Sequence, residues 1–151
     1  MSDLPRPSVA VVAGYRAADV ARMFANRGWN ITNSLTFADL LCFTGGDDIN
    51  PALYGEKPLG TAEWDSDRDT AETEIWHKTL MKPKVGICRG GQFFNVMSGG
   101  SMWQDVDNHQ KPHGIKDLQS GKVFICSSSH HQMMMPGVSG ELIAAGKTAT
   151  Y

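Results

Sequence analysis

The ten residues from Val85 to Phe94 combine a short apolar strand, a cysteine and a glycine-rich turn that leads into a helix. Cys88 stands where the predicted strand ends, and Gln92 falls in the first turn of the predicted helix. Backbone N–H groups at a helix start stabilise negative charge, which favours a thiolate at this position. The stretch therefore predicts a nucleophilic cysteine, whereas Cys42 and Cys126 fall inside apolar strands and are expected to be structural.

Apolar runs and helical patterns alternate through the first half of the chain. Val9–Ala13 is an unbroken apolar run, which is typical of a strand covered on both faces. Residues 16–27 carry apolar side chains at helical spacing and end before Gly28, so they predict a helix. Leu40–Phe43 predicts another strand, closed by Gly45-Gly46. This alternation predicts an α/β three-layer sandwich of the flavodoxin-like kind, with a parallel sheet and helices on both faces.

The remaining elements are less regular. Asp69–Glu72 has the pattern of a capping box, which predicts a helix from there through Leu80. Two polar segments, 47–69 and 107–121, are predicted to be loops, and the first is long enough to indicate a functional role. Short strands are predicted at three further places: Asn30–Asn33, Val123–Cys126 and Leu142–Ala145.

Composition limits the kinds of function that the chain can have. Its 151 residues predict a single domain over 1–151, and a net charge of −2 argues against a nucleic-acid-binding surface. The sequence has neither the run of about 20 apolar residues that a membrane helix needs nor the pattern of a signal peptide at its start. Three cysteines without a close pair suit a reducing compartment. We therefore expect a cytoplasmic protein that acts on a small molecule.

Three polar or glycine-rich segments follow predicted strands, namely Gly45-Gly46, Cys88–Gln92 and Ser127–Gln132. The carboxyl ends of parallel strands lie on one rim of a sheet, which is where ligands bind. The backbone N–H of Arg89 and one from the Gly45-Gly46 turn are predicted to stabilise the oxyanion of a tetrahedral intermediate. The Arg89 side chain is predicted to favour a thiolate at its neighbour.

Five segments carry a resemblance to a known family. They are Thr44–Tyr54, Asp67–Glu72, Gly86–Gln92, Gly99–Asp105 and Ser128–Gln132. In this order they resemble the oxyanion glycine loop, the loop-to-helix signature, the nucleophile elbow, the glycine turn and the substrate-side segment of the class I glutamine amidotransferases. The resemblance is strongest to the branch that contains the gamma-glutamyl hydrolases, peptidase C26.

The resemblance implies a thioester mechanism and no cofactor. Cys88 would attack the side-chain amide of a glutamine or γ-glutamyl group, and water would then release glutamate from the acyl-enzyme. Gln92, Ser128, Ser129 and His130 would contact this small-molecule substrate.

One part of the family's catalytic machinery has no match. The family's general base belongs to a His-Pro-Glu motif near the C-terminus, and this sequence contains no such motif and no histidine after His131. We expect a domain that is incomplete at its C-terminal side, with little turnover and with exposed strand edges that favour self-association. Three hypotheses stay open: an amidohydrolase acting through Cys88, a non-catalytic binding module, and the N-terminal part of an enzyme completed by another segment.

The other titratable residues favour structural roles. His77 is expected to face solvent from a helix, and by resemblance His130 and His131 belong to the substrate side of the site. His109 and His113 lack a third ligand at a suitable spacing. Helix capping and surface solvation explain most of the acidic residues at positions 65, 67, 69 and 72. No metal site is predicted.

Overall fold

A four-stranded parallel sheet forms the centre of the fold. The computed structural model describes residues 5–12, 14–107 and 110–146. Its first four strands are β1 (Ser8–Val12), β2 (Asn30–Ile31), β3 (Leu40–Phe43) and β4 (Lys84–Gly86). They lie in the order β2-β1-β3-β4, and every neighbouring pair is parallel. The prediction of a parallel sheet is confirmed, with β3 at the predicted bounds.

Three α-helices connect and follow these strands. They are α1 (Ala17–Ala25), α2 (Ser66–Lys78) and α3 (Arg89–Met97), and a 3₁₀ turn covers Pro51–Tyr54. The chain moves in opposite directions across the sheet when it passes from β1 to β2 and from β3 to β4. Because crossovers between parallel strands are right-handed, α1 and α2 cover opposite faces.

The apolar core lies between the sheet and helices α2 and α3, which pack on one of its faces. Leu41 and Phe43 of β3 are fully buried there, and the Phe43 ring stacks on Phe93 of α3 with a centroid separation of 5.5 Å. Alternation along a strand sends Val9 and Cys42 to the opposite face, where both are also fully buried. The unbroken apolar pattern of these strands follows from this burial on two faces.

The second half of the chain pairs differently from the prediction. Strands β5 (Ser101–Trp103) and β8 (Met133–Met135) form an antiparallel pair. Strands β6 (His113–Asp117), β7 (Val123–Cys126) and β9 (Ala144–Gly146) form a separate antiparallel sheet in the order β7-β6-β9.

Val123–Cys126 is therefore a strand, as predicted. The prediction that it belongs to the parallel sheet is wrong. Only residues 118–122 join β6 to β7, and so short a connection fits antiparallel strands alone. Part of the predicted 107–121 loop is strand β6, and the last strand begins two residues later than predicted.

The start of α2 also differs from the prediction. Asp65 caps the helix, since its Oδ1 accepts hydrogen bonds from the backbone N–H groups of Asp67 and Arg68, both at 3.0 Å. Asp69 and Glu72 lie further into the helix and are buried. The prediction that these two residues form a capping box is wrong.

None of the helices within the described residues has the length and apolar character that crossing a lipid bilayer requires.

The outer edge of β7 predicts self-association of the isolated chain. Val123, Phe124 and Ile125 are consecutive exposed apolar residues on an edge strand, which is a template for pairing with another copy. We expect Ile125→Lys to shift the chain toward monomer in size-exclusion chromatography with light scattering. Val138→Lys is the control, because Val138 is fully exposed but lies outside the strands. A wild-type chain that is monomeric across the same concentrations would contradict the prediction.

Candidate active site

Cys88 lies on a strained turn between β4 and α3. Its backbone has φ of 55° and ψ of −115°, so this residue adopts a positive φ without being glycine. A side chain on Gly86 would overlap the backbone of Gly90, and one on Gly90 would overlap the carbonyl of Phe43. The two glycines therefore let strand and helix approach closely, while the thiol is exposed above them.

The Gly45-Gly46 turn lies beside this cysteine, as the sequence predicted. A Cβ atom built on Gly45 would lie 3.6 Å from the Cβ of Cys88. The carbonyl oxygen of Gly45 accepts a hydrogen bond from Arg68 Nη1 at 2.8 Å. In a trans peptide the N–H points opposite to the carbonyl, so the N–H of Gly46 points away from that guanidinium.

Two backbone N–H groups near the thiol have no hydrogen-bond partner within the described part of the chain. They belong to Gly46 and to Arg89, the first residue of α3. The sequence predicted that an oxyanion hole is formed by the N–H of Arg89 and by one N–H of the Gly45-Gly46 turn. Their availability is what stabilising a developing negative charge requires.

A pocket of about 220 Å³ opens at Cys88. Its lining comes from four parts of the chain: Gly46, Asp47, Asp48, Thr61, Glu63, Cys88, Gln92, Ser129, His130 and His131. The structure thus brings together the three segments expected on one rim, although Ser129 and His130 arrive from the loop after β7 and not from a parallel strand. A larger cavity of about 630 Å³ lies over β1 and beside α2 and includes none of the predicted site residues.

The predicted substrate-contacting residues differ in their placement. Gln92 is nine-tenths buried at the pocket, and its Nε2 donates to the carbonyl oxygen of Gln132 at 3.5 Å. His130 Nδ1 lies 2.8 Å from the same carbonyl oxygen. Ser129 lines the pocket, whereas Ser128 is not among the lining residues. One backbone carbonyl therefore orients both Gln92 and His130.

Four charged side chains form a buried network beneath the site. The Arg89 guanidinium is paired with Asp69 through Nη2 and with Glu72 through Nη1, and all three side chains are almost fully buried. Arg68 Nε donates to the other oxygen of Glu72 at 2.8 Å. Asp69 also accepts the backbone N–H of Asn50 at 3.0 Å.

This network corrects the prediction made for the Arg89 side chain. Burial raises the pKa of Asp69, against the opposing effects of the Asn50 N–H and of Arg89. The Arg89 charge is directed at buried carboxylates and not at the thiol, so the expectation that its side chain favours a thiolate is wrong. What remains of the prediction for Arg89 is its backbone N–H. Arg89 begins a helix that packs against the sheet. A buried arginine needs carboxylate partners, so this position could have predicted them.

His131 connects two loops at the pocket. Its Nε2 lies 3.2 Å from Asp48 Oδ2 and its Nδ1 lies 3.6 Å from Asp105 Oδ1. Burial raises the pKa of Asp48, against the opposing hydrogen bond from the backbone N–H of Glu63. Asp48 and Glu63 were not predicted at the site, because nothing in the local sequence pattern shows that residues 59–64 fold back onto the turn after β3.

The other cysteines and histidines do not join this site. Burial raises the pKa of the Cys42 thiol to about 11, which is consistent with a structural residue. His77 is exposed on α2 as predicted, and His113 begins β6. His109 lies outside the described residues. Within 5–12, 14–107 and 110–146, no three His, Cys, Asp or Glu side chains are grouped so that they could hold a metal ion.

Similar proteins are found by sequence. A family model described as peptidase C26 matches residues 6–144. The glutamine amidotransferase-like protein YvdE of Lactococcus lactis is 44% identical over 94 residues, which is 60% of this chain and 39% of that protein. The carbamoyl phosphate synthase small chain of Ralstonia nicotianae is 28% identical over 124 residues, which is 74% of this chain and 29% of that protein. The chain spans about two-fifths or less of the length of these two relatives.

Solved structures show the same fold. A Thermoplasma acidophilum protein described as a GMP synthase subunit has a TM-score of 0.72 at 16% identity, over 96% of this chain and 75% of that chain. A glutamine amido transferase from Methylobacillus flagellatus has a TM-score of 0.59 at 12% identity, over 96% of this chain and 63% of that chain. The predicted flavodoxin-like α/β sandwich is confirmed.

The buried network predicts a large effect of a single isosteric change. Glu72→Gln leaves the buried guanidinium of Arg89 with one carboxylate and removes the carboxylate partner of Arg68. We expect it to lower the free energy of unfolding by roughly 3 kcal/mol, measured by urea denaturation. Glu74→Gln is the control on the same helix, since the Glu74–Lys78 pair is exposed, and it should leave the urea midpoint unchanged. Equal midpoints for the two variants would show that the network contributes little.

Proposed function

The chain belongs to the peptidase C26 family of class I glutamine amidotransferase-like proteins, and from that premise we propose that it hydrolyses a glutamine or γ-glutamyl amide through Cys88. The observation that carries this proposal is the placement of an exposed cysteine on the strained turn before α3, at the mouth of a pocket beside Gly46. A strained strand-to-helix turn is the arrangement that presents a nucleophile above a parallel sheet.

The proposed reaction has two steps. The Cys88 thiolate attacks the amide carbon, and the resulting oxyanion accepts hydrogen bonds from the N–H groups of Gly46 and Arg89. The C–N bond then breaks, and the amine leaves with a proton to give a thioester. Water attacks the thioester, glutamate departs, and the thiol is restored. Gln92, Ser129 and His130 hold the substrate.

Proton transfer is the step of this scheme to which no residue is assigned. Both ring nitrogens of His131 are directed at carboxylates, which leaves neither for the thiol. His130 donates through Nδ1 to the carbonyl oxygen of Gln132, and we assign it to substrate contact. A second candidate function, a non-catalytic binding module, is favoured by the engagement of both ring nitrogens of His131 with carboxylates. A base supplied by another segment would reconcile the two.

The nucleophile is tested with a glutamine-like diazoketone, 6-diazo-5-oxo-norleucine. We expect a single adduct on Cys88, located by peptide mass spectrometry, because this thiol is exposed in a pocket that fits the reagent's amino-acid part. Cys88→Ser should abolish labelling, and Cys126→Ser, the matched control at a half-buried thiol, should not. Preferential labelling of Cys42 or Cys126 would refute the assignment.

Turnover separates the enzyme from the binding module. We expect glutamate release from this chain to be about 10²- to 10⁴-fold slower than from a relative that carries the His-Pro-Glu motif, because general acid–base help is worth that much. A coupled glutamate assay measures this rate. Fast turnover that His130→Ala abolishes would show that His130 is the base.

A further inference from the structure

The pocket at Cys88 is rich in hydrogen-bond acceptors and poor in cations. Three carboxylates line it, those of Asp47, Asp48 and Glu63, and no lysine or arginine of the described residues does. The Asp48 carboxylate has a partner in His131, whose Nε2 lies 3.2 Å from Oδ2. The carboxylates of Asp47 and Glu63 have neither an ion pair nor a hydrogen bond to any described side chain or backbone group, and both residues are exposed. The mouth of the pocket therefore carries uncompensated negative charge.

The nearest guanidinium groups do not offset this charge. Arg89 is buried between Asp69 and Glu72, and Arg68 donates to Glu72 and to the carbonyl oxygens of Thr44 and Gly45. Their positive charges are neutralised below the Gly45-Gly46 turn. The potential at the pocket is set by the acidic residues above it.

A second, independent observation points to a ligand that donates hydrogen bonds. Gln92 is nine-tenths buried and lines the pocket, and its Oε1 accepts no hydrogen bond from the described residues. The Nε2 of the same amide faces the carbonyl oxygen of Gln132, which fixes the side-chain oxygen as the group available to a ligand. An acceptor oxygen at the pocket that receives no donor from the described residues is available to a ligand N–H.

The size of the pocket determines which part of the substrate lies near the carboxylates of Asp47 and Glu63. A volume of about 220 Å³ accommodates an amino-acid-sized acyl group, since pockets for larger ligands are usually about 300 Å³ or more. The amine part of an amide attacked by Cys88 must then extend to the mouth, where Asp47 and Glu63 lie. The glutamyl part is itself zwitterionic and adds no net charge, so the amine part sets the sign of the substrate.

We propose that this pocket selects γ-glutamyl amides whose amine part is positively charged, such as a mono-acylated diamine, over γ-glutamyl amino acids. This inference rests on the proposed function, because it assumes a glutamyl group at Cys88. Asp47 and Glu63 are the residues that determine the specificity. An anionic amine part would meet the same two carboxylates and be repelled by them.

The charge at the pocket is tested by a reaction that needs no turnover. Two methanethiosulfonates of similar size carry opposite charges, a trimethylammonium-ethyl reagent and a sulfonato-ethyl reagent. In each, the thiolate forms a mixed disulfide and methanesulfinate leaves. Rates at Cys88 are followed by peptide mass spectrometry at pH 8, where imidazole groups are ordinarily neutral, and are normalised to a neutral methyl reagent and to a free thiol in solution.

We expect the normalised cationic reagent to react faster than the anionic one. Removing one unit charge at the mouth changes each rate by roughly two- to threefold, so the ratio should fall by roughly fivefold in Asp47→Asn and again when Glu63→Gln is added. Glu74→Gln, which removes one negative charge from the outer face of α2, should leave the ratio unchanged. High salt should reduce the wild-type ratio, because exposed charges are screened. A ratio in the double variant within twofold of wild type would overturn the inference.

The substrate class is tested by protection of Cys88. Three γ-glutamyl amides of similar length, made from 1,5-diaminopentane, pentylamine and 5-aminopentanoic acid, compete with the neutral methyl reagent. We expect the diamine amide to protect at the lowest concentration and the amino-acid amide at the highest, with the order lost in the double variant. Equal protection by all three would overturn the inference. If the diazoketone leaves Cys88 unlabelled and none of the amides protects it, the γ-glutamyl assignment itself is wrong, even where the charge ratio is as expected.

Discussion

The buried network of Arg68, Arg89, Asp69 and Glu72 holds the site together. Helix α2 supplies three of the side chains, and Arg89 is the first residue of the helix that follows the cysteine. Two guanidinium groups against two carboxylates balance the charge, which is the condition under which ions are tolerated in a protein interior. The network therefore fixes the position of α3, and with it the turn at Cys88, relative to the turn after β3.

This arrangement explains how a strained backbone is maintained. A positive φ at a residue other than glycine costs roughly 1–3 kcal/mol and persists only where the surroundings determine it. At Cys88 the surroundings are the close approach of Gly86 and Gly90 on one side and the anchored Arg89 on the other. Arg68 also binds the carbonyl oxygen of Gly45, so the same ion network orients the peptide whose N–H belongs to Gly46.

The sequence predicted those parts of the site that depend on neighbours in the chain. The bounds of β3 and the strand-turn-helix at Cys88 follow from local patterns of apolar residues and glycines. The pairing of β7 with β6 and the ion pair between Asp69 and Arg89 did not follow, because each depends on residues brought together by the fold. Asp69 and Glu72 have the spacing of a capping box as well as that of a pair facing one side of a helix. The N-cap at Asp65 and the position of Arg89 distinguish the two.

The separation of charges then gives the pocket its character. Both guanidinium groups are paired with carboxylates below the Gly45-Gly46 turn, and Arg68 also binds the carbonyl oxygen of Gly45. The turn therefore leaves the N–H of Gly46 available near the thiol without placing a cation there. An oxyanion would thus be stabilised by neutral dipoles alone, which act over short distances and only where the charge develops. The charge of Asp47 and Glu63 at the mouth acts over a longer range and on the whole ligand. Chemistry and selection of the ligand are therefore assigned to different groups, and a change in the mouth can alter selectivity while the turn at Cys88 keeps its geometry.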